Sequence, residues 1–229
     1  MAQGGAPAPS PPVVAIDGPA ASGKGTLARR IAARLGFAHL DTGLLYRAVG
    51  VAVLRSGGDP ADAAAAVRAA ETLDLGLLAD PALREEAAAG AATLVAAIPG
   101  VRAALVDVQR RFAAQPPGGA PGAVLDGRDV GTVICPGATA KLFVDAAVEV
   151  RAARRVKELQ EKGLEAISAR VLQDMKERDA RDRGRAIAPL VPAADALVLD
   201  TTALDADAAF EAALAFILSK GIATAPGRG

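Results

Sequence analysis

Lys24 stands in a glycine-rich run, Gly18-Pro19-Ala20-Ala21-Ser22-Gly23-Lys24-Gly25-Thr26, whose residue types suit a polyphosphate. The glycines allow close backbone approach, the ammonium gives a mobile point charge for outer phosphates, and the Thr26 hydroxyl can serve a phosphate or its magnesium ion. A second chemical block, Asp126-Gly127-Arg128-Asp129, brings two carboxylates and a guanidinium together. A third is the arginine series Arg178, Arg181 and Arg185, with Asp182 beside it. Guanidinium groups at three- and four-residue spacing repel one another unless an anion sits among them, and a polyphosphate is the obvious anion. Arg151 and Arg155, one helical turn apart, could close the same site from above. Arg47 follows a capping pair, Asp41 or Thr42, by about one turn of helix.

These groups need a scaffold that converges them, and the hydrophobic pattern supplies one. Short apolar runs at residues 13–17, 37–40, 123–126, 141–145 and 196–200 read as buried strands. Helical periodicity follows the glycine loop from Leu27 to Leu35, with Gly36 as a stop, and recurs at 43–55, 99–114, 147–162, 166–183 and 205–220. Alternating strands and helices predict an α/β fold with a five-stranded parallel sheet covered on both faces. In such sheets ligands bind beyond the carboxyl ends of the strands, where the loop of 18–26 and the turn of 126–129 both fall. The loop thus lies at a strand-to-helix turn, with backbone N–H groups and a helix N-terminus aimed at one spot. A solvated charged turn is the alternative reading of 126–129, and a capped helix with a surface arginine that of Arg47. Residues 56–98 break the alternation: the pattern there is Ala-rich and helical, with no convincing strand. Gly/Pro clusters at 56–60 and 115–122 bracket this region and the helix after it, marking an inserted, mobile substrate domain with hinge candidates at either end.

Composition excludes several function classes. The 26 basic and 26 acidic side chains balance, so no global field favours nucleic acid or an anionic membrane. A single cysteine, Cys135, rules out an internal disulfide and a multi-cysteine zinc site. No apolar stretch is long and clean enough to span a bilayer, and residues 1–12 read as a disordered tail rather than a signal peptide. Residues 224–229 read as equally loose. The chain contains no asparagine, so the Asn-Lys-x-Asp motif of a switch GTPase is missing. His39 reads as a strand-end histidine and Cys135 as an incidental thiol.

Four blocks occurring in order carry a resemblance. They are Ile16-Asp17-Gly18-Pro19 with Gly23-Lys24-Gly25-Thr26, Asp41-Thr42-Gly43 with Tyr46-Arg47, Asp126-Gly127-Arg128-Asp129 with Gly131-Thr132, and Arg178-Asp179 with Arg181-Asp182-Arg183 and Arg185, ending in Ala188-Pro189-Leu190. Together they resemble the bacterial cytidylate (CMP) kinases, P-loop nucleoside monophosphate kinases, from about Val13 to the final helix. The resemblance implies a core at 13–55, 99–150 and 188–223, a nucleoside-monophosphate-binding insert at 56–98, and lid helices at 151–187. It implies ATP with Mg2+ as donor and CMP or dCMP as acceptor, in a cytoplasmic monomer. Gly18, Pro19, Ala20, Ala21, Ser22, Gly23, Lys24, Gly25 and Thr26 would hold ATP. Arg47 and Arg128 would take the CMP phosphate, with Thr42 near it. Thr93, Arg102, Asp129 and Arg185 would read cytosine, and Arg178 and Asp182 the ribose. Lys24, Arg128, Arg151, Arg155, Arg178 and Arg181 would share the charge of transfer, with Thr26 and, through water, Asp126 serving the metal. The family's insert usually carries a small β-hairpin, for which the short passage from Leu73-Asp74-Leu75 to Leu83-Arg84-Glu85-Glu86 leaves little room. A kinase for another small acceptor, or a nucleotide-binding module without catalysis, remains as an alternative.

Overall fold

The computed structural model describes residues 10–223, and the terminal stretches 1–9 and 224–229, expected to be loose tails, lie outside the described residues. Five strands form one all-parallel sheet in the order β2-β3-β1-β4-β5: β1 Val13–Asp17, β2 Ala38–Asp41, β3 Ala123–Gly127, β4 Ala140–Asp145 and β5 Leu197–Asp200. Alternation along β1 sorts its side chains between two cores. Val14 and Ile16 join Val124, Leu142 and Val144 beneath α1 (Lys24–Leu35) and α8 (Ala206–Ser219). Ala15 joins Leu40 and Leu125 on the opposite face, beneath α2 (Thr42–Arg55), α3 (Ala63–Glu71) and α5 (Pro99–Ala114). The predicted doubly covered parallel sheet is therefore the observed one, with β2 displaced by a residue because Asp41 still pairs with Asp126.

Residues 56–98 hold no strand. Two helices, α3 and α4 (Glu86–Val95), are joined by 3-10 turns at Leu75–Ala79 and Pro81–Arg84. Aspartate side chains start three of these pieces: Asp62, Asp74 and Asp80 each accept from a backbone N–H two residues ahead. The insert is anchored where α4 crosses α2 at Gly50, since a Cβ there would stand 2.7 Å from Ala91 Cβ. The region expected to form a lid holds a helical hairpin, α6 (Val148–Glu161) and α7 (Ser168–Arg183). Helix α7 ends at Arg183 and Gly184, so the expected single helical stripe of Arg178, Arg181 and Arg185 is broken, and Arg185 follows in a turn. No single helix among the described residues is long and apolar enough to cross a membrane.

Candidate active site

The carboxyl end of β1 runs into the glycine loop, and the backbone there is built as an anion cradle. Gly18 sits at φ 153, Ala21 at φ 56 and Gly23 at φ 91, a sequence of turns that directs N–H groups inward toward the start of α1. A Cβ on Gly18 would fall 2.0 Å from the Val144 carbonyl, so only glycine fits, while one on Gly23 would meet nothing within 4 Å. The open side is where phosphates would lie, over unpartnered N–H groups at a helix N-terminus. Lys24 folds back so that its ammonium donates to the Pro19 carbonyl at 3.2 Å. Burial lowers its pKa to about 7, with the Arg128 charge acting in the same direction. Ser22 is fully buried, and its hydroxyl has no hydrogen-bond partner among the described residues.

Asp17 ties this loop to the turn that follows β3. Its two oxygens accept from Val130 N at 2.9 Å and Gly131 N at 2.7 Å. Burial pushes the carboxyl up to about 6 in spite of both bonds. Held in this way, the turn presents Arg128 and Asp129 over the sheet. Arg128 Nε donates to Asp182 Oδ2 at 2.9 Å, and Arg185 binds the other oxygen of Asp182. Burial alone would raise Asp182, but Arg128 and Arg185 outweigh it and hold its carboxyl low. Arg178 has its pKa lowered to about 10, first by burial and then by Arg128.

Asp129 is buried and paired with the buried Arg102, which reaches in from α5. Burial still raises the Asp129 carboxyl against that partner. Tyr46, whose ring centroid lies 5.8 Å from the Arg102 guanidinium carbon, packs beside the pair, and burial lifts its phenol to about 12. Arg47 is turned toward the insert, donating to the carbonyls of Leu83 at 2.9 Å and Glu85 at 3.4 Å. Thr93 spends its hydroxyl on the Ala89 carbonyl of its own helix. Thr42 donates to the Asp126 carbonyl at 2.8 Å.

Two expected transfer residues, Arg151 of the preceding helix and Arg181 of the stripe, are both hydrogen-bonded within the protein. Arg151 is buried and locked: Nη2 and Nη1 reach the Asp179 oxygens at 2.5 and 3.2 Å, and Nη1 also donates to the Ala20 carbonyl of the glycine loop at 3.3 Å. Its charge is matched by Asp179, so its place is to brace the loop against α7 rather than to offer a free guanidinium. Arg181 is exposed, and its one hydrogen bond runs at 3.4 Å to the Glu177 carbonyl of its own helix. Arg155 reaches across from the lid to Glu86 of the insert at 2.7 Å and also meets Glu158 at 2.9 Å. Beyond the ends of β4 and β5 opens a cavity of about 600 Å³, lined by Asp145, Ala147, Arg151, Lys176, Asp179 and Thr202. Sequence reasoning missed it, since its walls come from segments far apart in the chain.

The donor set for a metal is all hard oxygen: the exposed Thr26 hydroxyl and the carboxylate of Asp126. Thr26 Oγ1 meanwhile accepts from Arg29 Nη2 at 3.3 Å. No group of three or more His, Cys, Asp or Glu able to hold an ion occurs among the described residues. That fits magnesium, which keeps its waters and arrives on phosphates, held by one or two protein oxygens.

A parallel sheet, a glycine loop at its first strand and arginines converging from α2, α5, the turn after β3 and the α6–α7 segment define a P-loop kinase acting on a small phosphorylated acceptor. Residues 14–218 match the cytidylate kinase family. A curated relative from Paramagnetospirillum magneticum, named cytidylate kinase, is 68% identical over 91% of this chain and 98% of its own. Another so named, from Rhodospirillum rubrum, is 60% identical over the same shares. The chain belongs to the cytidylate kinase family. A solved structure of an uncharacterized protein from Eubacterium ventriosum shares the fold at a TM-score of 0.51 and 13% identity, covering 91% of this chain and 99% of that one.

Proposed function

We propose that this enzyme moves the γ-phosphoryl group of MgATP to CMP or dCMP, releasing ADP and CDP or dCDP. The Arg102–Asp129 pair carries the acceptor assignment. Arg102 occupies Asp129 Oδ2, and no described residue hydrogen-bonds Oδ1. A carboxylate oxygen only accepts, so it suits the exocyclic amine of cytosine and repels the carbonyl that uracil carries at that place. Arg185 and Thr93 complete the base site, Arg178 and Asp182 the ribose site, and Arg47 with Arg128 the phosphate site near Thr42. Engaging the base requires Thr93 to turn its hydroxyl away from Ala89, and engaging the phosphate requires Arg47 to leave the Leu83 carbonyl.

The donor triphosphate would lie along residues 18–26, with its base in the cavity beside Arg151 and Thr202. Thr26 and Asp126 would hold the magnesium that accompanies the donor, and the ion when bound would supply charge neutralisation. A phosphate monoester is mostly dianionic near neutral pH, its second pKa being about 6, so no protein base is required. The residues instead align the two nucleotides, exclude water and spread positive charge over the transferring group. Lys24, Arg128, Arg178 and Arg155 stand nearest that task. The Glu86–Arg155 bridge draws lid and insert together over the acceptor, closing the cleft to water. The hairpin-free insert offers fewer walls, so acceptor binding should be weaker or less selective than the family pattern implies. The reading takes the enzyme as a cytoplasmic monomer.

A coupled ADP-release assay with MgATP and CMP, dCMP, UMP or AMP tests this reading. Fast turnover on both cytidylates over UMP and AMP is the expected result. Equal rates on all four would discard the role given to Asp129, and no turnover would discard the reaction.

A further inference from the structure

The carboxyl ends of β2 and β3 bring three polar side chains onto one face of the sheet. The register sets Asp41 opposite Asp126 and His39 opposite Val124, so His39, Asp41 and Asp126 all project toward α1. A Cβ on Gly25 would lie 3.6 Å from Asp126 Oδ2, so that oxygen faces the glycine loop and the start of α1. The other oxygen, Oδ1, lies 2.7 Å from His39 Nε2. An ionised carboxylate has only acceptors, so Nε2 carries the hydrogen and donates it. The backbone of Asp126 is fixed as well, since its carbonyl accepts from Thr42. Asp126 is 3% exposed. One carboxylate oxygen is therefore pinned, and the second has a single direction to face.

We propose that His39 is a positioning residue for the magnesium site, holding Asp126 so that Oδ2 is presented to the water shell of the ion carried by ATP. This rests on the reading of Asp126 as the outer carboxylate of that site. The imidazole answers a local problem. Asp41 and Asp126 stand opposite each other in the register as like charges, and the His39 donor holds Asp126 in place against that repulsion. Lys24, on the loop side, attracts both carboxylates and cannot by itself choose which Asp126 oxygen faces the ion. A donor behind a metal-facing carboxylate sets its orientation, and loss of such a partner typically weakens metal binding about 10–100-fold. Leucine at position 39 would keep the strand and the packing but remove the donor. Glutamine would keep a donor near the place of Nε2.

The test is calorimetric and independent of turnover. ATP affinity is measured in excess magnesium and in EDTA for wild type, His39→Leu, His39→Gln and Asp126→Ala, and CMP affinity is measured alongside. The ratio of the two ATP affinities reads how strongly the ion and its protein oxygens act together. The expected result is a ratio about tenfold smaller in His39→Leu, near wild type in His39→Gln, and CMP affinity unchanged in both. A wild-type ratio in His39→Leu together with a reduced one in Asp126→Ala would overturn the role of His39 while keeping that of Asp126. A wild-type ratio in Asp126→Ala would instead remove the metal reading, and the proposal with it. Equal losses of ratio and of CMP affinity in both His39 variants would show a merely structural histidine and overturn it as well.

Discussion

Binding of MgATP should load a proton onto Lys24. In the free protein the half-buried ammonium has its pKa lowered to about 7, first by burial, and one carbonyl accepts from it. A polyphosphate in the cradle replaces that poor environment with several negative oxygens and drives the group fully protonated. With a free-state pKa of about 7, roughly one molecule in eleven is protonated at pH 8 and about ten in eleven at pH 6. Binding should then take up about 0.9 proton at pH 8 and about 0.1 at pH 6. Affinity should fall about tenfold across that interval, or roughly 1.4 kcal/mol. Titration calorimetry in two buffers of different ionisation heat gives the proton count directly. Lys24→Met supplies the baseline, because protons exchanged by the nucleotide itself remain in that variant. Equal proton uptake by wild type and Lys24→Met at pH 8 would refute the reasoning.

Three further outcomes follow from geometry already described. Arg128→Lys keeps the charge but loses the fork that meets Asp182 at 2.9 Å, and kcat should fall about a hundredfold; wild-type turnover would sink the assignment. Asp17 has a folded pKa of about 6 against an unfolded value of roughly 4, so the fold favours its protonated form. Its contribution is full below about pH 4 and lost as pH rises through about 6, a swing of about 3 kcal/mol. Urea midpoints of wild type relative to Asp17→Asn should therefore decline over that window, and parallel curves would contradict it. Gly50→Ala places a Cβ 2.7 Å from Ala91 Cβ and 3.0 Å from its carbonyl carbon, forcing α2 from α4. The expected cost is about 1–3 kcal/mol in thermal unfolding, with the CMP KM rising more than the ATP KM.

Much of the fold was legible because strands buried on both faces must be short apolar runs, and Val13–Asp17 and Ala140–Asp145 are such runs. The glycine loop was legible for a related reason: residue types at fixed spacing specify its backbone. The pieces of the insert were harder. Their apolar content is mostly alanine, which marks no face strongly, and the aspartate caps at Asp62, Asp74 and Asp80 went unread in the sequence. What stayed hidden was pairing at long range. Arg151 meets Asp179 from 28 residues away, and that partner turns an apparent anion-binding arginine into a brace. His39 meets Asp126 across 87 residues, a contact created by β2 lying next to β3, which no local pattern announces. The shared helical face of Arg178, Arg181 and Arg185 did not hold, because α7 ends before Gly184, yet Arg185 still meets Asp182 from the turn beyond.

Asp17 has a consequence for how the two nucleotides sense each other. It is the residue immediately before Gly18, and its oxygens hold the N–H groups of Val130 and Gly131, immediately after Asp129. The glycine loop and the turn that carries Asp129, the proposed donor cradle and base reader, are thus hung from one carboxylate, a single peptide unit from each. Under the proposed assignment a cradle settling around phosphates would pull on the turn, and a turn drawn in by the acceptor would pull on the cradle, by the same free energy in both directions. Asp17 would in that reading be the shared anchor of the donor and acceptor sites. A change of acceptor base engineered at Asp129 would be inherited by ATP affinity as long as Asp17 is kept.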